Sequence, residues 1–175
     1  MSHEQWGFDF IQEKCIQCHG CEVACKTWRN VNLGTKWRRV VNLWHGEYPT
    51  VTCSSASIAC LHCSEPACID VCPTEAISKR ETDGIVLVDS KKCIGCQACL
   101  EACPYDVPQF GLDGTMQKCD MCYSELVGEP ILPKAPPCVS SCPTQALILK
   151  KMTVSQKKEL EQSMKVLLNT LFRTH

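Results

Sequence analysis

The sequence predicts an α+β fold assembled from repeats of one small unit, and three observations carry that reading. Short alternating or apolar segments flank cysteine runs as strands would: Trp6 to Phe10 before the first run, Ile85 to Val88 before a later one, and Gln145 to Leu149 after the last. Residues 86–104, VLVDSKKCIGCQACLEACP, align with residues 8–25, FDFIQEKCIQCHGCEVAC, through an apolar stretch, a basic residue and a Cys-Ile-x-Cys start. Sixteen of the 17 cysteines fall into four quartets. The repeating unit is therefore strand, cysteine loop, short helix and strand.

The quartets are Cys15, Cys18, Cys21 and Cys25; Cys60, Cys63, Cys68 and Cys72; Cys93, Cys96, Cys99 and Cys103; and Cys119, Cys122, Cys138 and Cys142. The first and third have the C-x2-C-x2-C-x3-C spacing in which three thiolates wrap one iron-sulfur cube and the fourth reaches a neighbouring cube. The second widens its middle gap, and the fourth separates Cys122 from Cys138 by fifteen residues. Three of the four runs close on Cys-Pro, at Pro73, Pro104 and Pro143, whereas Lys26 follows Cys25. Four [4Fe-4S] clusters are the expected cofactors.

The remaining elements follow in chain order. Residues 26–59 separate the first two quartets and concentrate Trp28, Trp37 and Trp44 with Arg29, Arg38, Arg39 and Tyr48, a composition that suits either a protein contact surface or a cover over clusters. Residues 76–79 and 85–88 read as two short strands around an Asp-Gly turn. After Met152, Thr153 and Gln156 fit a capping box, and Leu160, Met164, Leu167, Leu168 and Leu171 recur at helical spacing, so an amphipathic helix of roughly 19 residues closes the chain.

Composition narrows the function. Cysteine is counted in the 45% hydrophobic content, and removing 17 Cys from roughly 79 apolar residues leaves about 62, little for a 175-residue core. Clusters would become the interior, and folding should depend on their insertion. The formal charge of −1 treats every cysteine as neutral. Four loaded cubes at about −2 each bring the protein near −9, which argues against nucleic acid as a partner. Lys14, Lys26, Lys91, Lys92 and Lys118 either offset cluster charge or stay solvated. The odd cysteine count, the ligand-like spacing and an N-terminus without an apolar signal oppose a disulfide scaffold. No run of 18 apolar residues is present to span a membrane, and Arg38-Arg39 lies too far inside to be an export signal. A cytoplasmic location is expected, or export bound to a signal-bearing partner.

The motifs CIQCHGCEVACK, CLHCSEPACIDVCP, CIGCQACLEACPYDVPQF and KCDMC with CVSSCP, spread from about Gly7 to Leu149, resemble the iron-sulfur subunits of dimethyl sulfoxide reductase-type molybdenum enzymes. They also resemble the small four-cluster subunits that accompany tungsten aldehyde oxidoreductases and benzoyl-CoA reductase complexes. The resemblance implies two interleaved bacterial-type 2[4Fe-4S] ferredoxin-like halves. Residues 1–27 with 114–152 would form an outer half and residues 60–113 an inner one, with an insertion at 28–59 and the helix at 153–175. It also implies crossed ligand sets. Cys60, Cys63 and Cys68 take Cys103; Cys93, Cys96 and Cys99 take Cys72; Cys15, Cys18 and Cys21 take Cys142; Cys119, Cys122 and Cys138 take Cys25.

Cys53 belongs to no quartet and reads as a free thiol, while His19 and His62 lie in cluster loops where they would tune or cap by hydrogen bonding. Fully ligated irons leave no open position for substrate, so no catalytic residue is expected. The expected function is electron relay to or from a large molybdenum- or tungsten-pterin catalytic subunit, leaning to the tungsten aldehyde oxidoreductase class, with a further electron-carrier subunit at the other end. Alternatives are a subunit of a dimethyl sulfoxide reductase-type, formate dehydrogenase or hydrogenase complex, a free-standing polyferredoxin, or a structural zinc module.

Overall fold

The computed structural model describes residues 4–123 and 135–172, with side chains through residue 169. Strand β1 (Gln5–Phe10) runs through one 3-10 turn (Gln12–Lys14) into helix α1 (Gly20–Trp28). Strands β2 (Arg38–His45) and β3 (Thr52–Ala59) follow, then α2 (Ala67–Asp70), β4 (Ile77–Lys79), β5 (Val86–Val88) and α3 (Ala98–Glu101). Strands β6 (Gln109–Phe110) and β7 (Met116–Gln117), helix α4 (Pro137–Ser140), β8 (Leu147–Met152) and α5 (Val154–Phe172) complete the order. The mixture is α+β, as expected.

All four sheets are two-stranded and antiparallel, pairing β1 with β8, β2 with β3, β4 with β5 and β6 with β7. Two-stranded sheets are marginal by themselves, so packing must hold them. Strand β1 meets β8 from Gln5 opposite Met152 to Phe10 opposite Leu147, which joins the segment before the first cysteine run to the segment after the last. Strands β4 and β5 make the corresponding local pair, with Ile77 opposite Val88. Helix α1 packs on α4 and α2 on α3. The Asp83-Gly84 turn closes β4 and β5: Gly84 sits at φ +73, and the buried Asp83 carboxylate accepts from the Ile85 amide and Arg80 Nε.

Residues 26–59 contain a regular hairpin of two eight-residue strands, β2–β3, for which the sequence pattern predicts no secondary structure. Its base packs inward through Ala56, Ile58 and Ala59, and its tip around Gly46 is exposed. The short β6–β7 hairpin, also unanticipated, brings Met116 into a small cluster with Ile77, Val86 and Cys99.

Helix α5 has the capping box expected of it. The Thr153 amide donates to Gln156 Oε1 (3.0 Å) and the Gln156 amide to Thr153 Oγ1 (3.3 Å), satisfying two N-terminal donors reciprocally. Met164 and Leu168 are buried in the main core, with Leu160 and Leu167 packed beside them, so the stripe lies on its own domain. Leu171 falls outside the described side chains, and so does the middle of the long Cys122–Cys138 loop, residues 124–134.

Candidate metal centres

Each cysteine loop repeats the same unusual backbone. Gln17, His62, Gly95 and Met121, the second residue after the first cysteine of each quartet, all have positive φ. Glu75, Asp106 and Gln145, third after the cysteines of the three Cys-Pro endings, do too. A non-glycine residue in this region costs roughly 1–2 kcal/mol, and such strain gathers at functional sites. Its effect here is to aim amides at sulfur. His62 N lies 3.4 Å from Cys60 Sγ, Met121 N 3.4 Å from Cys119 Sγ, Ala76 N 3.3 Å from Cys72 Sγ and Ala146 N 3.2 Å from Cys142 Sγ. Met116 N of β7 adds a fifth such contact, 3.3 Å to Cys93 Sγ. Only Gly95 announced the conformation in the sequence.

The thiols meet across quartets. A cleft is lined together by Cys72, Cys93, Cys96 and Cys99, with Phe110 and Met116. Burial pushes the Cys63 thiol up to about 12, and Cys60, Cys103 and Cys68 add repulsion to it. Burial likewise pushes Cys122 up to about 12 and Cys25 up to about 11, with Cys138 acting on both and Cys25 acting on Cys122. Cys119 is raised by burial and then by Cys25 and Cys138, despite the opposing Arg38 charge. Cys21, raised mainly by burial, feels Cys138 and Cys142. The Ser141 hydroxyl donates to the Gly20 carbonyl (3.4 Å), tying the Cys18 loop to that of Cys142. Burial opposes ionisation of Cys72 and Cys142 as well, but amide and threonine hydrogen bonds, from Ala76 and Thr74 or from Leu147, Thr144 and Ala146, lower both. Iron binding to the buried thiols must therefore release protons.

Exposure sorts these groups. Cys18 and Cys96 are exposed, whereas Cys25, Cys60, Cys99, Cys119, Cys122 and Cys138 are buried. Among the described residues no three His, Cys, Asp or Glu side chains are placed to hold one metal ion. A cube spreads its four thiolates over four corners, and all-cysteine donors with amides at sulfur fit that group.

Several charged and polar side chains were less legible. Arg38 is buried (2% exposed), as are Lys118 and Lys157. Lys118 Nζ donates to the carbonyls of Val86 and Cys119, and Lys157 Nζ to that of Trp6. Of the other lysines noted from sequence, Lys26 is half-buried on the carbonyls of Asn32 and Thr35, and Lys14, Lys91 and Lys92 are exposed. His62 is fully buried and accepts from the Val86 amide at Nδ1 (2.9 Å); burial, reinforced by Lys118 and Lys157, keeps it neutral, with its proton on Nε2. His19 contacts Glu22 at the start of α1. Cys53 lies half-buried on β3, opposite Trp44. The aromatic residues of the insertion divide. Trp37 is half-buried, donates to Gln117 Oε1 and carries Arg29 over its ring, while Trp28, Trp44 and Tyr48 are exposed.

Comparison with known proteins agrees with this chemistry. A family profile described as a 4Fe-4S dicluster domain matches residues 51–152, and one described as a 4Fe-4S binding domain matches residues 12–28. A component chain of the anaerobic dimethyl sulfoxide reductase of Haemophilus influenzae is 40% identical over 154 residues, covering 82% of this chain and 73% of its own. The formate dehydrogenase iron-sulfur subunit of Wolinella succinogenes is 42% identical over 156 residues (78% and 76%), and a sulfite dehydrogenase subunit of Allochromatium vinosum 35% over 150 residues (75% and 62%). These relatives give no support to the lean towards a tungsten aldehyde oxidoreductase. No helix among the described residues is long and apolar enough to cross a membrane. The chain belongs to the 4Fe-4S dicluster family of iron-sulfur subunits of oxidoreductases, proteins that transfer electrons within a complex and are not its catalytic subunits.

Proposed function

We propose that this chain relays electrons through four [4Fe-4S] clusters to or from the molybdenum-pterin catalytic subunit of a dimethyl sulfoxide reductase-type oxidoreductase. The observation that carries the reading is the meeting of thiols from different quartets: Cys72 with Cys93, Cys96 and Cys99, Cys103 with Cys60 and Cys63, and Cys25 with Cys119, Cys122 and Cys138. The ligand sets are then Cys15, Cys18, Cys21 and Cys142; Cys25, Cys119, Cys122 and Cys138; Cys60, Cys63, Cys68 and Cys103; and Cys72, Cys93, Cys96 and Cys99. A bound cube supplies one-electron storage with little change of shape. The protein's part is to exclude water from the set of Cys25, Cys119, Cys122 and Cys138, to direct amides at sulfur and to leave two other sets open to the surface at Cys18 and Cys96.

The pairing of β1 with β8 and of β4 with β5 supports two interleaved ferredoxin-like halves. In this division the inner half extends to Gln117, because Met116 packs with Ile77 and Val86. The exposed Trp44 and Tyr48 at the outer part of the β2–β3 hairpin supply aromatic surface suited to the catalytic subunit. We place the complex in the cytoplasm, which fractionation of the source cells tests. Isolating the native complex and measuring its molybdenum and tungsten tests the partner. A copurifying large subunit containing molybdenum is expected; tungsten, or no large subunit, would overturn that assignment.

A further inference from the structure

Arg38 is a charge without an acid. It is 2% exposed, and no carboxylate pairs with it among the described residues. Its guanidinium lies 4.3 Å over the Phe8 ring and donates from Nη1 to Ser57 Oγ at 3.0 Å. Nε and Nη2 are buried with no hydrogen-bond partner. A cation taken out of water costs several kcal/mol unless an anion answers it, and an unsatisfied buried donor adds to that cost. Both costs fall on one side chain.

The surroundings identify the missing anion. Ser57 Oγ, which accepts from Arg38, stands 3.5 Å from Cys21 Sγ, so its proton is available to that sulfur. The Arg38 charge also acts on Cys25, Cys119 and Cys138, while among the described residues no such action ties it to the thiols of the other two sets. Arg38 is thus within electrostatic reach of both the set containing Cys21 and the set containing Cys25, Cys119 and Cys138. Each would carry about −2 when loaded. Both Arg38 and Ser57 are delivered by the β2–β3 hairpin, one on each strand.

On the cluster reading given above, we infer that Arg38 is a shared counter-ion for these two clusters, its free Nε–H and Nη2–H donating to cluster sulfur. It acts on them through its charge and these two N–H groups. A fixed cation favours the form holding one more electron, so it raises the reduction potential of both clusters and leaves the other two little changed. The hairpin is accordingly part of the redox apparatus as well as a surface.

The test is an EPR-monitored redox titration of the purified iron-loaded chain, comparing wild type with Arg38→Gln, Arg38→Met and Arg38→Lys. Iron is counted first, and a wild-type content far from about sixteen would refute the cluster reading itself, separately from the role of Arg38. Each neutral variant should lower the reduction constant of two clusters at least tenfold, 59 mV for one electron, with the other two shifted less than threefold and Arg38→Lys close to wild type. Loss of two clusters in the neutral variants, restored in Arg38→Lys, equally supports the inference. Unchanged potentials, equal shifts in all four clusters, loss of all four, or Arg38→Lys behaving like Arg38→Gln would overturn it.

Discussion

Phe10, at the end of β1, lies directly opposite Leu147, at the start of β8. The pairing carries the first cysteine loop to the last. Leu147 is nearly inaccessible and belongs to the main core. Leu147→Ala should cost about 2–5 kcal/mol through lost burial and a residual cavity. Denaturant unfolding of the iron-loaded chain measures this, and a cost below about 1 kcal/mol would show that the pair contributes little.

Helix α5 should behave as part of the fold and not as a free partner helix. Leu168, 1% exposed, packs in the core, and Glu161 reaches across to accept from the Ser64 amide at 2.7 Å. Leu168→Ala is expected to cost about 2–5 kcal/mol and Thr153→Ala, which removes half the capping box, about 1 kcal/mol. Thermal melts of both variants check the ranking.

Cysteine substitutions should sort by ligand set and not by position in the chain. Cys18→Ser and Cys142→Ser are expected to perturb one and the same EPR signal, and Cys25→Ser and Cys122→Ser a second one. Cys53→Ser should leave iron content and all potentials as in wild type. If Cys18→Ser and Cys25→Ser changed the same single cluster, the crossed sets would be wrong.

The hairpin tip offers a separation of surface from stability. Trp44 is 69% exposed and Tyr48 93%, so Trp44→Ala with Tyr48→Ala should shift stability by no more than about 0.5 kcal/mol. Binding to the catalytic subunit should weaken at least tenfold, read by titration calorimetry. Unchanged affinity would remove the tip from the interface.

How far the sequence alone reached depends on what kind of regularity each feature left in it. Cysteine spacing and the Cys-Pro endings located the loops, since a run of ligands imposes strict local distances. Strands β1, β4, β5 and β8 were legible because each abuts such a loop, and α5 because Thr153 and Gln156 mark its start. Hairpin β2–β3 was not, because Ser54, Ser55, Ala56 and Ser57 dilute the alternation on β3 and tryptophan and arginine drew attention to the surface. The burial of Arg38, Lys118 and Lys157 was illegible for a related reason. Long cationic side chains are normally solvated, and only the folded surroundings reveal which carbonyls or hydroxyls receive them. The left-handed residues at Gln17, His62 and Met121 escaped notice because their identities carry no turn signal.

Removing iron from the purified chain should abolish the fold, since the apolar core is thin and the buried thiols are expected to be organised by the clusters. Loss of far-UV helical signal together with iron, on chelation under reducing conditions, is the expected result.

The most direct test of the central claim is a quantitative reductive titration of the purified chain alongside its iron and acid-labile sulfide content. Four crossed cysteine sets predict about sixteen iron, about sixteen sulfide and four one-electron steps per chain. Zinc without sulfide, or a chain that accepts only two electrons at full iron loading, would contradict it.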